Sequence, residues 1–413
     1  MSLLNRIAQT EKLLILGFAR EGRSTKTFLH HRFPALQVDT ADRQDGPDYL
    51  KNLQDYQVII KTPGIPPHLP EIIAAKKAGV VFTSHTQIFF EVCPSPKTIG
   101  VTGTKGKSTT ASLIHHLLSQ NQIPSVLVGN IGLPALDHLP QITSTTWVVI
   151  ELSSYQLMDL ETSPHIAVLL NIYPDHLDYH QNFEEYRNAK LNITRHQTPS
   201  DYLITAEDVP TRARKILFSS PRPPIPSRLL GAHNQLNIQP AVIIGQLLDI
   251  PKDNILAAVK SFVPLDTRLT QVGEVNGVIF YEDVLATIPE ATIAALDAFP
   301  SGVKTLIAGG HERKQNYSNL ANKILDTGVK NLIVFPATGP RIWAEITKVN
   351  PKSGIAYFFV NSMPDAVKIA LDHTASGEIC LLSPAAPSFT LFKDYRDESA
   401  QYRQAIQNLS QSR

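Results

Sequence analysis

The sequence predicts an α/β protein of three domains, Rossmann-like at both ends with a mainly parallel sheet in the central domain. Three observations carry this reading. The chain has 413 residues, more than one hydrophobic core serves, which suggests about two to four domains. Short apolar runs alternate with helical stretches along the chain, as in strand–crossover–strand units. "WVVIELSS" and "HIAVLLNI" are apolar almost throughout, as parallel strands buried on both faces must be.

Residues 1–93 form the first predicted domain. "KLLILGFAREGRSTKTFLHHRFP" reads as strand, glycine turn and helix, "LQVDTAD" as a strand ending in acid and hydroxyl, and "QVIIKTPGIP" as a third strand with its turn. The turn "GFAREG" has Ala19 where a dinucleotide fingerprint wants its second glycine. Alone it names no ligand, and a plain strand–helix turn explains it equally well. "CPSPK" reads as a linker.

The central domain, residues 94–265, opens on "GVTGTKGKSTTASLIHHLL". The preceding "KTIGV" suits a buried strand. Ala111, Ile114, Leu117 and Leu118 recur at helical spacing, so the glycines lie on a strand-to-helix turn. The first amides and the dipole of such a helix favour an anion there. Gly103 and Gly106 admit a close approach, Lys107 can reach terminal phosphates, and Ser108 can offer a hydroxyl to Mg²⁺. The strict P-loop pattern fails by one residue, because Val101 stands where its first glycine would be. An ordinary glycine turn with a chance lysine is the alternative. Strand, turn, Gly-Lys-Ser and helix agree on a nucleotide-phosphate site of the P-loop kind.

Composition narrows the classes further. The hydrophobic fraction is 43%, the charged fraction 18%, and the formal net charge +1, so no global field favours nucleic acid or a membrane surface. Cys93 and Cys380 are far apart and have no metal-type spacing, which fits a reducing compartment. The N-terminus lacks the marks of a signal peptide, and no segment approaches ~20 consecutive apolar residues. The expected location is the cytoplasm.

Ligands of parallel sheets gather at the carboxyl ends of the strands. Glu151 closes "WVVIELSS", while Asp175, His176 and Asp178 follow "HIAVLLNI". A carboxylate at a neighbouring strand end is the usual holder of Mg²⁺ against nucleotide phosphates. "YPDHLDYH" also allows a zinc cluster or a solvated polar turn, although zinc would need ligands converging from further segments. Asn182 and Glu185 stand in capping-box relation, so a helix begins there. On it, Phe183, Tyr186 and Leu191 can form a buried side. Lys190 falls near that side, and from this stretch alone it reads as a snorkelling surface lysine.

"SSPRPPIPSR", residues 219–228, reads as an exposed loop between strands, and "GAHNQLNIQPAVIIGQLL" as a helix start. A boundary near "SFVPLDTRL" opens the third domain, residues 266–413, with strands at "GVIFYEDV", "TLIAGG", "NLIVFP" and "EICLLSP".

"TGTKGKSTT", "GNIGLPAL", "ELSSYQL", "NIYPDHLDYH", "YRNAKL" and "GAHNQLN" stand in the order and approximate spacing of the Mur ligases. The chain resembles that family, the ATP-dependent enzymes that build the peptidoglycan stem peptide, over essentially its whole length. The superfamily includes folylpolyglutamate synthases. "LLSPAAPSFTLFKDY" and "KTPGIP" resemble the branch that adds D-glutamate to UDP-N-acetylmuramoyl-L-alanine.

The resemblance implies roles. Gly103, Thr104, Lys105, Gly106, Lys107, Ser108 and Thr109 would bind ATP phosphates, with Asn234 and Asn237 near adenine and Arg268 and Asp283 as further nucleotide contacts. Ser108, Glu151, His176 and Lys190 would serve two Mg²⁺ ions, Lys190 as a carbamate, which overturns the snorkelling reading. Lys107, Glu151, His176 and Lys190 would be the catalytic set. Arg20, Glu21, Gly22, Asp39, Thr40 and Gly64 would hold the uridine diphosphate, and Asn130, Ser153 and His176 would lie along the muramoyl part. Thr287, Arg313, Ser388 and Tyr395 would bind D-glutamate. The expected partners are these substrates and ATP, with no nucleic acid and no membrane, and the protein is expected to act as a monomer.

Three departures cluster where amino acid and γ-phosphate would meet. "DVLAT" has Leu285 where the family has lysine, "GGHERKQNY" has Lys314 after its basic residue, and "YRDESAQY" replaces an arginine–glycine element. The rival readings are the same chemistry with L-glutamate or a folate acceptor, and a nucleotide-binding protein with lost or regulatory catalysis.

Overall fold

The computed structural model describes residues 2–131, 133–177, 179–299 and 301–411. Gly132 and Asp178, which belong to two of the motifs above, lie outside the described residues. The chain divides into two compact units, Met1–Pro221 with Leu236–Val259, and Arg222–Gln235 with Lys260–Arg413.

The first unit contains two sheets. One has the order β2-β1-β3-β4, from β1 (Lys12–Leu16), β2 (Gln37–Ala41), β3 (Val58–Lys61) and β4 (Val81–Thr83), all parallel. The other contains β5 (Thr98–Thr102), β6 (Ser125–Gly129), β7 (Trp147–Glu151), β8 (Ile166–Leu169), β9 (Tyr202–Thr205) and β10 (Arg214–Leu217) in the order β10-β9-β8-β5-β7-β6. Every pairing in it is parallel. β5, β7 and β8 are buried along their whole length, so their apolar runs match a sheet covered on both faces.

The stretch 94–97 is a packed joint. Ser95 is buried, its hydroxyl donates to Thr146 O at 2.6 Å, and it accepts from Lys97 N at 3.1 Å. Polar contacts continue across the two sheets' flanks. Ser24 Oγ donates to Asp137 Oδ1 at 2.6 Å and Gln156 Nε2 to Glu21 Oε1 at 2.7 Å. Burial drives the His85 pKa down to about 4. Its Nε2 accepts from Leu136 N at 3.4 Å, so Nδ1 carries the proton and faces Thr25 Oγ1 at 3.0 Å. One apolar cluster, with Ile15, Ile60, Phe89, Leu136, Ile150 and Leu169 among its members, runs through both sheets.

In the second unit, β11 (Thr270–Val275) and β12 (Val278–Glu282) form an antiparallel hairpin. With β13 (Thr305–Ala308), β14 (Asn331–Val334), β15 (Ala356–Phe359) and β16 (Ile379–Leu382) they give the order β11-β12-β16-β13-β14-β15, parallel from β12 onward. The proline-rich stretch 219–228 joins β10 to the helix Ala232–Leu247, not one strand to another. Two backbone constraints act there, since proline fixes φ and lacks the amide a ladder needs. No described helix is long and apolar enough to cross a membrane.

Candidate active site

Strand register brings the central groups together. Val101 pairs with Glu151 and Thr102 with Leu169, so the ends of β5, β7 and β8 are level. The loop 103–106, the Glu151 carboxylate and the turn after β8 therefore share one rim.

The loop leads into the helix Lys107–Gln120 through Gly106 at φ 88. A Cβ there would sit 2.1 Å from Asn237 Oδ1, so glycine is required both by φ and by Asn237, which packs on the loop. Thr110 Oγ1 also donates to Asn237 O at 3.0 Å. Lys107 Nζ donates to Gly103 O and Thr104 O at 3.0 and 2.9 Å, which keeps the ammonium on the loop. Ser108 is half-buried and Thr109 buried in the first turn of the helix.

Thr104 joins the loop to two other elements. Its hydroxyl donates to Tyr173 O at 3.0 Å, accepts from Tyr173 N at 2.8 Å, and lies 2.9 Å from the Tyr186 hydroxyl. Beyond Tyr173, Asp175 Oδ2 stands 3.6 Å from Lys105 Nζ and 3.7 Å from His176 Nε2. Burial would raise the Asp175 pKa, but Lys105 and His176 together bring it below its ordinary value. His176 adopts φ 56, and its Nδ1 meets the Tyr155 hydroxyl at 2.7 Å.

Tyr186 and Lys190 lie one turn apart on the helix Phe183–Arg195, capped by Asn182 Oδ1 accepting from Glu185 N at 2.9 Å. Glu185 returns its carboxylate to Gln181 N, at 2.6 Å, instead of to the cap residue. Lys190 is 1% exposed, so it does not snorkel. Burial pushes its pKa well below the lysine range, Lys107 adds to that, and Asp175 and Glu151 oppose it. Glu151 is buried too. Its Oε1 accepts from Asn130 Nδ2 at 3.0 Å, while Oε2 has no hydrogen-bond partner. An orphaned buried carboxylate oxygen is costly unless a cation meets it, so the donor set fits Mg²⁺. Among the described residues, no group of three or more His, Cys, Asp and Glu side chains gathers as a metal cluster.

In the first sheet, Leu16 pairs with Ala41 and Lys61, so three strand ends are again level. A cavity of ≈ 390 Å³ opens there, with Arg20, Glu21, Asp42, Arg43, Gly64 and Asn130 in its wall. Asp39 and Thr40 do not line it. The strand runs on to Ala41, which makes Asp42 the acid at its end. Asp42 Oδ2 accepts from Phe18 N at 2.6 Å, whereas Asp39 accepts from Tyr56 at 3.1 Å and Thr40 is exposed. Gly22 also lies outside the wall. A Cβ on it would meet Gly17 O at 2.3 Å, so it serves close helix–strand packing. Burial raises the Glu21 pKa against the Gln156 hydrogen bond, and Glu21 Oε2 is buried without a partner. Ser153 caps the short helix Ser154–Leu157 in a capping box with Gln156.

In the second unit, Glu282 and Ile307 both register with Leu382, so the segments after β12, β16 and β13 are neighbours. These carry Thr287, Ser388 and Arg313. His311 N donates to Pro387 O at 2.6 Å and Gln315 Nε2 to Thr287 O at 3.2 Å. Arg341 braces the Arg313 turn, with Nη1 on both Glu312 oxygens at 2.6 Å and Nη2 on Gln315 O at 2.9 Å. Tyr395 begins the helix Tyr395–Gln411 after that segment, and Leu285 is half-buried between Val284 and Ala286. Asn234 donates to Leu230 O at 2.6 Å and touches His233 Nε2 at 3.1 Å. Burial and then Arg268 lower the His233 pKa, and Arg268 Nε is buried without a partner. Asp283 N donates to Leu382 O at 2.7 Å.

Asp42, Arg43, Tyr155 and Tyr179 were not singled out from sequence, and Thr104 was named there for phosphate alone, not for its contacts with Tyr173 and Tyr186. Only Asp42 had a local signal, the D-x-x-D capping box formed with Asp45.

A glycine loop opening a helix, level with a buried carboxylate that has an unpartnered oxygen and with a buried lysine, is the arrangement of ATP-using enzymes of the P-loop class. Residues 101–222 match the Mur ligase middle domain. The UDP-N-acetylmuramoylalanine–D-glutamate ligase of Acetivibrio thermocellus is 34% identical over 402 residues, covering 88% of this chain and 85% of that protein. The ligase of the same name from Listeria innocua is 32% identical over 97% of each. Among solved structures, UDP-N-acetylmuramate–alanine ligase from Thermotoga maritima shares the fold with a TM-score of 0.61 at 19% identity, covering 97% of this chain and 100% of that one. MurF ligase from Thermotoga maritima, solved with ADP, does so with a TM-score of 0.58 at 15% identity, over 96% and 95%. The chain belongs to the Mur ligase family.

Proposed function

We propose that the protein joins D-glutamate to UDP-N-acetylmuramoyl-L-alanine at the expense of ATP, a cytoplasmic step of peptidoglycan synthesis, and that it works as a monomer. Relatives of that name over most of the chain support the substrate pair. The observation that carries the chemistry is the Thr104 hub, which ties the phosphate loop to the His176 turn and, through Tyr186, to the helix of Lys190.

A carboxylate is a poor electrophile. Its oxygen attacks the γ-phosphorus, ADP departs, and the acyl phosphate then yields to the glutamate amine, which loses a proton as phosphate leaves. The protein supplies position and charge. Lys107 and the amides of 103–109 hold the phosphates, and Asn234, Asn237, Arg268 and Asp283 serve the rest of ATP. Ser108, Glu151, His176 and a carbamylated Lys190 would hold two Mg²⁺, which neutralise phosphate charge when bound. Carbamylation joins a neutral amine to carbon dioxide and releases a proton, and burial shifts Lys190 toward that neutral form. Arg20, Glu21 and Gly64 hold the uridine diphosphate in the cavity, with Asp42 and Arg43 beside them. Asn130, Ser153 and His176 line the path of the muramoyl part. Thr287, Arg313, Ser388 and Tyr395 take D-glutamate, with Arg313 suited to a carboxylate. Domains of 1–93, 94–265 and 266–413 divide these tasks.

Phosphate release with UDP-N-acetylmuramoyl-L-alanine tests the reading, with D-glutamate, L-glutamate, D-aspartate and meso-diaminopimelate side by side. D-glutamate should be preferred. Preference for another amino acid overturns the substrate, and ATP hydrolysis indifferent to both substrates overturns the ligase.

A further inference from the structure

Tyr179 stands between the cavity and the His176 turn. Its hydroxyl lies 2.8 Å from Pro63 O and 3.1 Å from Ile65 O, and it is the donor to those carbonyls. They belong to the turn 62–65, closed by Ile65 N on Thr62 O at 3.3 Å, and this turn lines the cavity. From the strand side, Lys61 Nζ donates to the same Ile65 O at 3.0 Å. Tyr179 itself follows His176, and its amide donates to His176 O at 3.1 Å. Its ring packs on Tyr155 with centroids 4.0 Å apart, and Tyr155 in turn holds His176 Nδ1. A continuous path of contacts therefore runs from the cavity turn through one phenol to the histidine.

Burial raises the Tyr179 pKa, and Asp159 adds to it, so the hydroxyl remains a donor at any working pH. A hydrogen bond in so buried a place fixes the turn more firmly than one open to water.

We propose that Tyr179 is a positioning residue that fastens the cavity turn 62–65 to the His176 turn, so that the nucleotide end and the reacting end of one substrate are held in a single register. This rests on reading the cavity as the nucleotide-sugar site. The Tyr179 hydroxyl itself meets the cavity turn and not the phosphate loop, so its removal should fall first on that substrate.

Tyr179→Phe keeps the ring on Tyr155 and removes only the tether. Wild type and variant are compared by calorimetric binding of UDP, by steady-state kinetics in each substrate, and by Tm. The variant should bind UDP about five- to tenfold more weakly and show a similar rise in KM for the muramoyl nucleotide. KM for ATP should stay within about twofold, and Tm should hold. Equal UDP affinity in the two proteins overturns the tether and leaves the cavity reading standing. A fall in Tm with every constant moving together overturns it as well, since that marks a merely structural residue. A wild type that does not bind UDP overturns the cavity reading and the tether with it.

Discussion

The Lys190 ammonium nitrogen lies 4.7 Å from the centre of the Tyr186 ring, inside the first unit's core. The ring face offsets some of the lost hydration of a cation, yet burial still pushes the amine toward its neutral form. Activity and stability consequently pull apart at this position.

Lys190→Met should abolish ligase turnover and raise Tm. A lysine whose folded pKa is depressed binds fewer protons folded than unfolded, so stability rises with pH between the depressed value and the unfolded one. Methionine removes that cost, by about 1 kcal/mol or more at neutral pH in bicarbonate-free buffer. Thermal melts across pH check it: the wild-type slope should vanish in the variant. In ¹³C-bicarbonate, a carbamate resonance should appear in the wild type and be missing from Lys190→Met.

Lys107→Ala should slow turnover by about two decades or more, equivalent to about 3 kcal/mol, because a charge-assisted contact strengthened in the transition state is lost. The fold should be unaffected, since Lys107 is half-buried at the loop surface and its ammonium donates to the carbonyls of Gly103 and Thr104 in its own loop. Phosphate-release rates beside unchanged circular dichroism are the measurement.

Gly22 and Gly64 should respond oppositely to alanine. At Gly22 the new Cβ meets Gly17 O at 2.3 Å, whereas at Gly64 it meets nothing within 4 Å. Gly22→Ala should destabilise by about 1–3 kcal/mol, and Gly64→Ala should stay within about 0.5 kcal/mol. Denaturant unfolding decides.

Glu398 should make the second unit less stable as pH rises. The side chain is fully buried with both oxygens unpartnered, and burial, then Glu282, raises its pKa well above the ordinary carboxylate range. A raised acid binds more protons folded than unfolded. Its stabilising share is whole below the ordinary carboxylate pKa, at about 4.3, and disappears as pH climbs through the raised value. Glu398→Gln should flatten that decline in Tm-versus-pH curves. An unchanged curve would rule out the carboxyl as its source.

The buried parallel strands were readable because their environment is uniform on both faces. β7 and β8 need nothing but apolar residues, and the sequence shows that directly. Strands such as β10, mostly exposed, and β15, half-buried to exposed, carry little signal because neighbours at one edge define them. The phosphate loop was legible because its chemistry is contiguous. Asp39 and Thr40 lie short of the cavity wall because the strand runs on to Ala41, and strand ends read from sequence are uncertain by a residue or two. Tyr179 gave no sign at all: its meaning depends on carbonyls more than a hundred residues earlier.

The packed joint at 94–97 also bears on how such proteins can be recombined. The first sheet and the second share an apolar core and several part-buried polar pairs, among them Ser24 with Asp137 and Gln156 with Glu21. A chimera cut at residue 93 would need matched partners on both sides of the seam. Crossovers near residues 221 and 260, where the compact units part, leave those pairs intact, so exchange between relatives should succeed there first.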